Sequence, residues 1–479
     1  MILALSPEVP KGGGRVLYPP ATMENVSSLL DLPSDLVARV VSLCASVVDI
    51  ARVGAACRLL HVSDSVAEAL RMRARERGYE VPADGRRAAR LLAAMLREAS
   101  PRARAAAGAD HSVFIDSEGR IASCGIEFVG QLGVLGHGPG HGGASQLVTP
   151  TRLPSLLGGE RAVSLSAGDY HNLAITSDEA LWSWGYGRPG QLGHGTHEDQ
   201  LQPKKIEAFA RQRVVAVSAG LDHNLAVTAD GSVFSWGVGE DGRLGHGDEQ
   251  PQLLPKRIVA LSGLHVVAIS AGNSHSLAVT AGGAVFSWGW GQAGKLGHGS
   301  HRSQLRPQRV TALEGQSVLS VSAGHSYSLA ITVDGDVYSW GSGYLSQLGH
   351  GSEEVSLLPK KVEAFSGQRA VAVSAGDYHS LAITAGGDVY SWGKGNAGQL
   401  GHGNIGSQPL PRRIAALEGR RVVAVSAGSL HSLAFTAEPV GAWSWGASGS
   451  HLGHGYEMRL SRVTGQLSHQ LLPMATPLL

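Results

Sequence analysis

Cysteine is almost missing from this sequence: Cys44, Cys57 and Cys124 are the only three in 479 residues. An odd number at these spacings builds neither a disulfide framework nor a zinc motif, so the thiols are read as small buried side chains. Long apolar runs are missing too. No stretch approaches the ~18 residues that span a bilayer, and the first 30 residues lack the basic, apolar and cleavable order of a signal peptide. The expectation is a soluble intracellular protein, cytoplasmic or nuclear, with no membrane partner. An excess of one charge is also absent, with 40 Lys+Arg against 39 Asp+Glu. Residues 1–107 carry 15 basic against 11 acidic side chains and the remainder 25 against 28, so neither part has the footprint of a nucleic-acid binder. The one dense basic run, Arg71, Arg73, Arg75 and Arg77 with Glu76 inside it, reads as a solvated helix face.

What the chain has in excess is glycine, 65 residues, roughly twice the ordinary share. The glycines recur. Ser-Ala-Gly ends at Gly168, Gly220, Gly272, Gly324, Gly376 and Gly428, each 52 residues after the last, and a degenerate Ala106-Ala107-Gly108 stands 60 residues before Gly168. The first unit therefore carries eight extra residues, which fall around Gly133 to Leu153. Seven Leu-Gly-His-Gly turns are centred on His137, His194, His246, His298, His350, His402 and His454, and six units hold Ser-Trp-Gly, with Cys124 replacing the tryptophan in the first.

Within a unit, PKRIVAL, HVVAIS, HSLAVT and AVFSW read as four short strands between Gly-rich turns. Four strands cannot bury both faces of a sheet alone, but sheets packed around a ring can, which predicts an all-β, seven-bladed β-propeller over about 105–470. Trp184, Trp236, Trp288, Trp340, Trp392 and Trp445 would each bury ~150–250 Å², worth roughly 4–6 kcal/mol per blade as an upper bound. The blade with Cys124 is expected to be the loosest. A helix is predicted at Arg86 to Ala99, which leaves the first blade without a Pro-Arg-Arg-Ile strand like that at Pro411 to Ile414. The segment Leu460-Ser461-Arg462-Val463-Thr464 is expected to supply it and close the ring.

These motifs, SAGxxHxLAIT followed by VYSWGxGxxGQLGHG, resemble the repeat of the regulator of chromosome condensation family across about residues 105–470. The resemblance implies the seven-bladed fold and a protein-binding role. Members of that family include a nucleotide exchange factor for the GTPase Ran, ubiquitin-ligase components and a plant ultraviolet-B photoreceptor. In the photoreceptor the loop after the repeat glycine resembles Gly-Trp-Arg-His. Here the two residues before the blade histidine are Asp169-Tyr170, Leu221-Asp222, Asn273-Ser274, His325-Ser326, Asp377-Tyr378 and Ser429-Leu430, with no Trp-Arg pair. The partner-binding candidates on these loops are Asp169, Tyr170, Asp222, Asn273, His325, Asp377 and Tyr378. For a GTPase contact the candidates are Asp110, Asp169, Asp222 and Asp377, against the alternative that short acidic side chains here stabilise turns.

His111, His171, His223, His275, His379 and His431, with Tyr327 in the remaining unit, occur once per blade. A side chain that every blade requires is expected to satisfy backbone groups inside the repeat rather than hold a metal. No nucleophile, base and orienting group stand out, so neither an enzyme nor a cofactor is expected.

Residues 1–29 are expected to be disordered, and from residue 30 to 98 the pattern changes. Glycine nearly disappears, Leu36, Val40, Leu43 and Val47 recur at helical spacing, and Asp31 or Ser34, Asp49, Ser63 or Asp64, and Asp84 are suitable N-caps, giving about four short helices. Leu32-Pro33, Leu36, Val40, Leu43, Val48-Asp49-Ile50 and Ala56-Cys57-Arg58-Leu59-Leu60 together resemble an F-box, although no aromatic residue follows between Val66 and Leu70. That resemblance implies a Skp-type adaptor as partner, contacted by Leu32, Pro33, Leu36, Val40, Leu43 and Ile50. The propeller would then hold the substrate of a Skp-cullin-F-box ubiquitin ligase. The alternatives are an exchange factor for a Ran-like GTPase and a propeller scaffold.

Overall fold

A computed structural model describes residues 104–116, 118–127, 129–133, 145–153, 159–437, 440–447, 452, 454 and 469–476. The segment 1–29, the helical module at 30–98 with Leu32, Pro33, Leu36, Val40, Leu43 and Ile50, the strand expected at 460–464 and His137 all lie outside the described residues.

Seven antiparallel four-stranded sheets follow one another along the chain, each built from four consecutive strands. In the fourth these are Val266–Ala271, His275–Thr280, Val285–Gly289 and Gln304–Arg309. The strand ending in Ser-Ala packs against its counterparts in both neighbouring blades, which places it innermost, while the Gln-Leu-x-Pro strand is outermost. Among the described residues no helix is long and apolar enough to cross a membrane.

The structural blade is offset by one strand from the unit read in sequence. Gln252–Arg257, which carries the Pro-Lys-Arg motif, pairs backwards with Val233–Gly237, Phe234 lying opposite Arg257. It is therefore the outer strand of the third blade, not the first strand of the fourth. The short link that follows misleads because it resembles a hairpin turn. Its apolar Ile258 and Leu261 instead sink into the cluster between blades, with Val233, Val266 and Trp288, and so carry the chain across.

The ring closure follows from that offset and differs from the expectation. The first blade owns four strands, Ala105–Ala107, His111–Ile115, Ile121–Glu127 and Ser145–Arg152. The C-terminal strand His469–Thr476 pairs with Val440–Ala447 and completes the seventh blade, Trp443 lying opposite Ala475. Among the described strands none is exchanged across the seam. First and last blades meet through side chains: the Ala107 amide donates to Ser426 Oγ at 3.1 Å, and Ser112 Oγ lies 3.0 Å from His431 Nε2. Where other interfaces have tryptophan, this one packs Cys124 with Phe114 and Phe435, whose rings stand 6.5 Å apart. The smaller sulfur is thus filled in by two phenylalanines.

The six predicted tryptophans have no exposed surface. Each also reaches back one blade, as when Trp340 Nε1 donates to Lys295 O and Trp392 Nε1 to Gln347 O, both at 2.8 Å. The blade histidines bridge blades rather than serving their own repeat. His171 Nε2 meets Asn224 Oδ1 at 2.7 Å, His223 and His275 meet Ser276 and Ser328 Oγ at 2.9 Å, and Tyr327 donates to His379 O. Because Ser276 Oγ already donates to Arg243 O, it accepts from the His223 Nε2–H, and since burial holds His223 well below the usual histidine range the ring is the neutral Nε2–H tautomer. The Leu-Gly-His-Gly histidines bond the Ser-Trp-Gly serine of their own blade, for example His298 Nε2 to Ser287 Oγ at 2.8 Å. In the first blade the corresponding turn is at Leu132-Gly133, since Ser123 Oγ donates to Leu132 O and Gly133 lies against Trp184 as Gly193 lies against Trp236.

One interface lacks a bond that the others share. Ser166, Ser218, Ser270, Ser322, Ser374 and Ser426 each accept the inner-strand alanine amide of the following blade, but Ala106 offers no hydroxyl to Ala167. Ala106→Ser is expected to supply it and to stabilise the protein by ~0.5–1.5 kcal/mol in urea unfolding. No gain, or a loss, would show that buried Ala106 has no room for the oxygen.

Candidate functional site

Hairpin topology gathers two sets of loops at one end of the ring. The loop between inner and second strands and the loop between third and outer strands leave each sheet at the same end. Backbone bonds tie them together: Tyr186 N–H to Tyr170 O, Val238 N–H to Asp222 O, Trp290 N–H to Ser274 O and Lys394 N–H to Tyr378 O. Asp169, Tyr170, Asp222, Asn273, His325, Asp377 and Tyr378 all lie at this mouth.

The carboxylates are close enough to feel one another. Burial, and then the charges of Asp377, Asp222 and Asp110, push Asp169 up to about 7. Asp110 and Asp222 are also raised by burial, the latter partly offset by Arg243. Turn chemistry belongs mostly elsewhere: at the opposite end Asp116 Oδ1 accepts the Glu118 and Arg120 amides at 2.9 and 3.0 Å. At the mouth Asp377 Oδ2 accepts the Ser429 hydroxyl at 2.7 Å. Tyr170 and Tyr186 meet edge to face at 6.5 Å, His325 and Tyr378 stand 5.7 Å apart, and Lys394 Nζ lies 4.8 Å from the Tyr378 ring.

The third and fourth blades contribute cations that the residue-by-residue reading did not single out. Arg243 Nη1 donates to Asn273 O at 3.3 Å and Nη2 to Asp241 Oδ2 at 3.4 Å. Lys295 is buried, and its Nζ lies 4.1 Å from the ring centre of Trp290, an indole still 37% exposed. Their signal was present in the sequence: the position before Leu-Gly-His-Gly is glutamine at 191, 347 and 399 but Arg243 and Lys295 in two adjacent blades. Tyr344, 67% exposed, adds a further aromatic on the same loop set. Among the described residues no three His, Cys, Asp or Glu side chains are grouped to hold a metal ion. The arrangement presents aromatic faces and separated charges of both signs, which suits noncovalent recognition.

Similarity to known proteins matches this architecture. An RCC1-like domain pattern covers residues 249–470, and regulator of chromosome condensation (RCC1) repeat patterns cover 178–227 and, in a second form, 162–191 and 214–243. The ultraviolet-B receptor UVR8 of Arabidopsis thaliana is 37% identical over 365 residues, which take in 76% of this chain and 81% of that one. The chain belongs to the RCC1 repeat family. Human HERC2, an E3 ubiquitin-protein ligase, is 37% identical over 340 residues, 70% of this chain but only 7% of HERC2, so this RCC1-type chain corresponds to a small part of that protein. Among solved structures, Prp20p of Saccharomyces cerevisiae, described with its binding properties to Gsp1p and histones, superposes with a TM-score of 0.60 at 27% identity, covering 69% of this chain and 81% of Prp20p. Human WBSCR16 gives 0.63 at 25% identity, covering 69% and 86%.

Proposed function

We propose that this RCC1-type propeller binds a protein at its loop-bearing mouth and serves as the substrate receptor of a Skp-cullin-F-box ubiquitin ligase. The observation that carries the binding role is the mouth itself, where exposed Trp290 and Tyr344 stand among carboxylates and cations with no metal-holding cluster in the described residues. The ligase role draws on the F-box-like residues Leu32, Pro33, Leu36, Val40, Leu43 and Ile50, and on HERC2, an E3 ligase of which a propeller like this one is a minor part. In this mechanism the chain makes and breaks no covalent bond. It holds the substrate while the adaptor joins it to the rest of the ligase.

The test is size-exclusion co-elution with purified Skp adaptor, comparing the full chain with Leu36→Asp. The full chain should co-elute, and the variant should lose at least tenfold in affinity because a groove contact depends on a few buried apolar anchors. Equal co-elution of both removes the F-box reading.

A second reading, exchange on a Ran-like GTPase, is favoured by the likeness to Prp20p, whose description names binding to Gsp1p. It would use Asp110, Asp169, Asp222 and Asp377 and need nothing from residues 30–98. Fluorescent-nucleotide release from Ran separates the two: acceleration by the full chain that Asp169→Asn abolishes supports exchange, and an unchanged rate counts against it.

A further inference from the structure

The least explained side chain among the described residues is Lys295. Its position closes a loop in other blades: Gln131, Gln347 and Gln399 accept the Val129, Leu345 and Ala397 amides, and Arg243 Nε donates to Glu240 O. Lys295 makes no such bond. It is 1% exposed and its ammonium has no hydrogen-bond acceptor. Gln191 shares that lack but carries no charge.

An ammonium held out of water without a hydrogen-bonded counter-charge is costly, and the nearby charge of Asp241, opposed by that of Arg243, together with a single indole face repays only part of that cost. Glutamine at the same place in four other blades shows that the fold does not need a cation there. Burial pushes Lys295 down to about 8, so it remains mostly protonated at neutral pH. The ammonium lies against Trp290, which sits on a mouth loop and is 37% exposed. His325 feels both the Lys295 charge and that of Asp377, which places the ammonium beside the mouth. Asp110, Asp169, Asp222 and Asp377 stand near one another at the same opening, which also holds the cations Arg243 and Lys394.

We propose that Lys295, beneath Trp290, is the receptor for one carboxylate side chain of a protein partner, and that the residues flanking this carboxylate in the partner are basic. The carboxylate supplies the missing acceptor as Trp290 gives way, and the flanking cations meet the mouth carboxylates. An anionic segment without basic neighbours is repelled by those same groups, which makes the pattern selective. The proposal rests on the reading that the mouth holds a protein.

The test uses the full chain and two fluorescein-labelled peptides of sequence Gly-Lys-Lys-Glu-Lys-Lys-Gly, the second with Gln for Glu, followed by fluorescence anisotropy at pH 7. The native protein should bind the Glu peptide at least tenfold more tightly. Lys295→Gln, which installs the residue other blades use, should bind both peptides alike, and its thermal midpoint should equal or exceed the native one. Equal binding of both peptides to the native protein overturns the carboxylate receptor while leaving a basic-segment site. Binding of neither overturns the receptor together with the mouth reading. Unchanged discrimination in Lys295→Gln assigns the carboxylate to another group and also overturns it.

Discussion

Acidification from pH 7 to about 4 is expected to unfold the propeller cooperatively. The cause is the ring of buried neutral imidazoles. His171 is pushed down to about 4 and His379 to about 3 by burial, and His223 and His275 lie well below the usual histidine range for the same reason. His194, His246 and His402 are held at about 4, and His298 and His350 are also lowered, all chiefly by burial. The unfolded chain takes up protons near the ordinary value of about 6.5, whereas the folded chain does not until far lower pH. Stability from these groups is therefore complete above about 6.5 and is lost as the pH falls towards 4. His171 alone accounts for on the order of 3 kcal/mol by pH 4, and a few such groups match a total stability of ~5–15 kcal/mol. Asp169, Asp110 and Asp222 act with the opposite sign, because their raised values favour the folded state as they protonate, but they are fewer. Urea unfolding at pH 7, 6, 5 and 4.5 checks this. A free energy of unfolding that stays level from pH 7 to 5 would contradict the neutral-imidazole ring.

Gly220→Ala is expected to destabilise the protein by ~3 kcal/mol or more, despite adding one methyl to a backbone that alanine can adopt. A Cβ there would lie 2.4 Å from the Gly272 carbonyl oxygen and 3.0 Å from the His223 ring. The same approach runs round the whole bore, from Gly108 onto the Gly168 carbonyl at 2.6 Å to Gly428 onto that of Gly108, also at 2.6 Å. Backbone cannot yield as a flexible side chain does, and one widened interface must be absorbed by a closed ring. Gly367→Ala makes the control. Its φ is +82°, which alanine resists, but its Cβ would meet nothing within 4 Å, so the expected cost is only ~1–2 kcal/mol. If thermal and urea unfolding rank the two variants the other way, close approach is not what the inner glycines serve.

Much of this molecule was legible because its repeat is regular. The 52-residue interval, the Ser-Trp-Gly tryptophans and the one histidine or tyrosine per unit specified strands, blade number and the buried Trp340 and Trp392, since period and burial are local properties of a sequence. A repeat has no natural beginning, however, and periodicity alone is silent on which strand opens a blade. That was decided by Ile258 and Leu261 packing between sheets and by the pairing of His469–Thr476 with Val440–Ala447, which moved the closure from an exchanged strand to the Ala107 to Ser426 and Ser112 to His431 contacts. The loop residues Asp169, Asp222 and Asp377 could be listed from the sequence as polar side chains beside a glycine. That they share one opening, that burial and mutual repulsion raise Asp169, and that Lys295 lies under Trp290 without an acceptor depend on residues brought together from different blades. Sequence determined the blades because hydrogen bonding and side-chain alternation act over a few residues. Only the closed ring determined the mouth, because its electrostatics and burial arise between groups far apart along the chain.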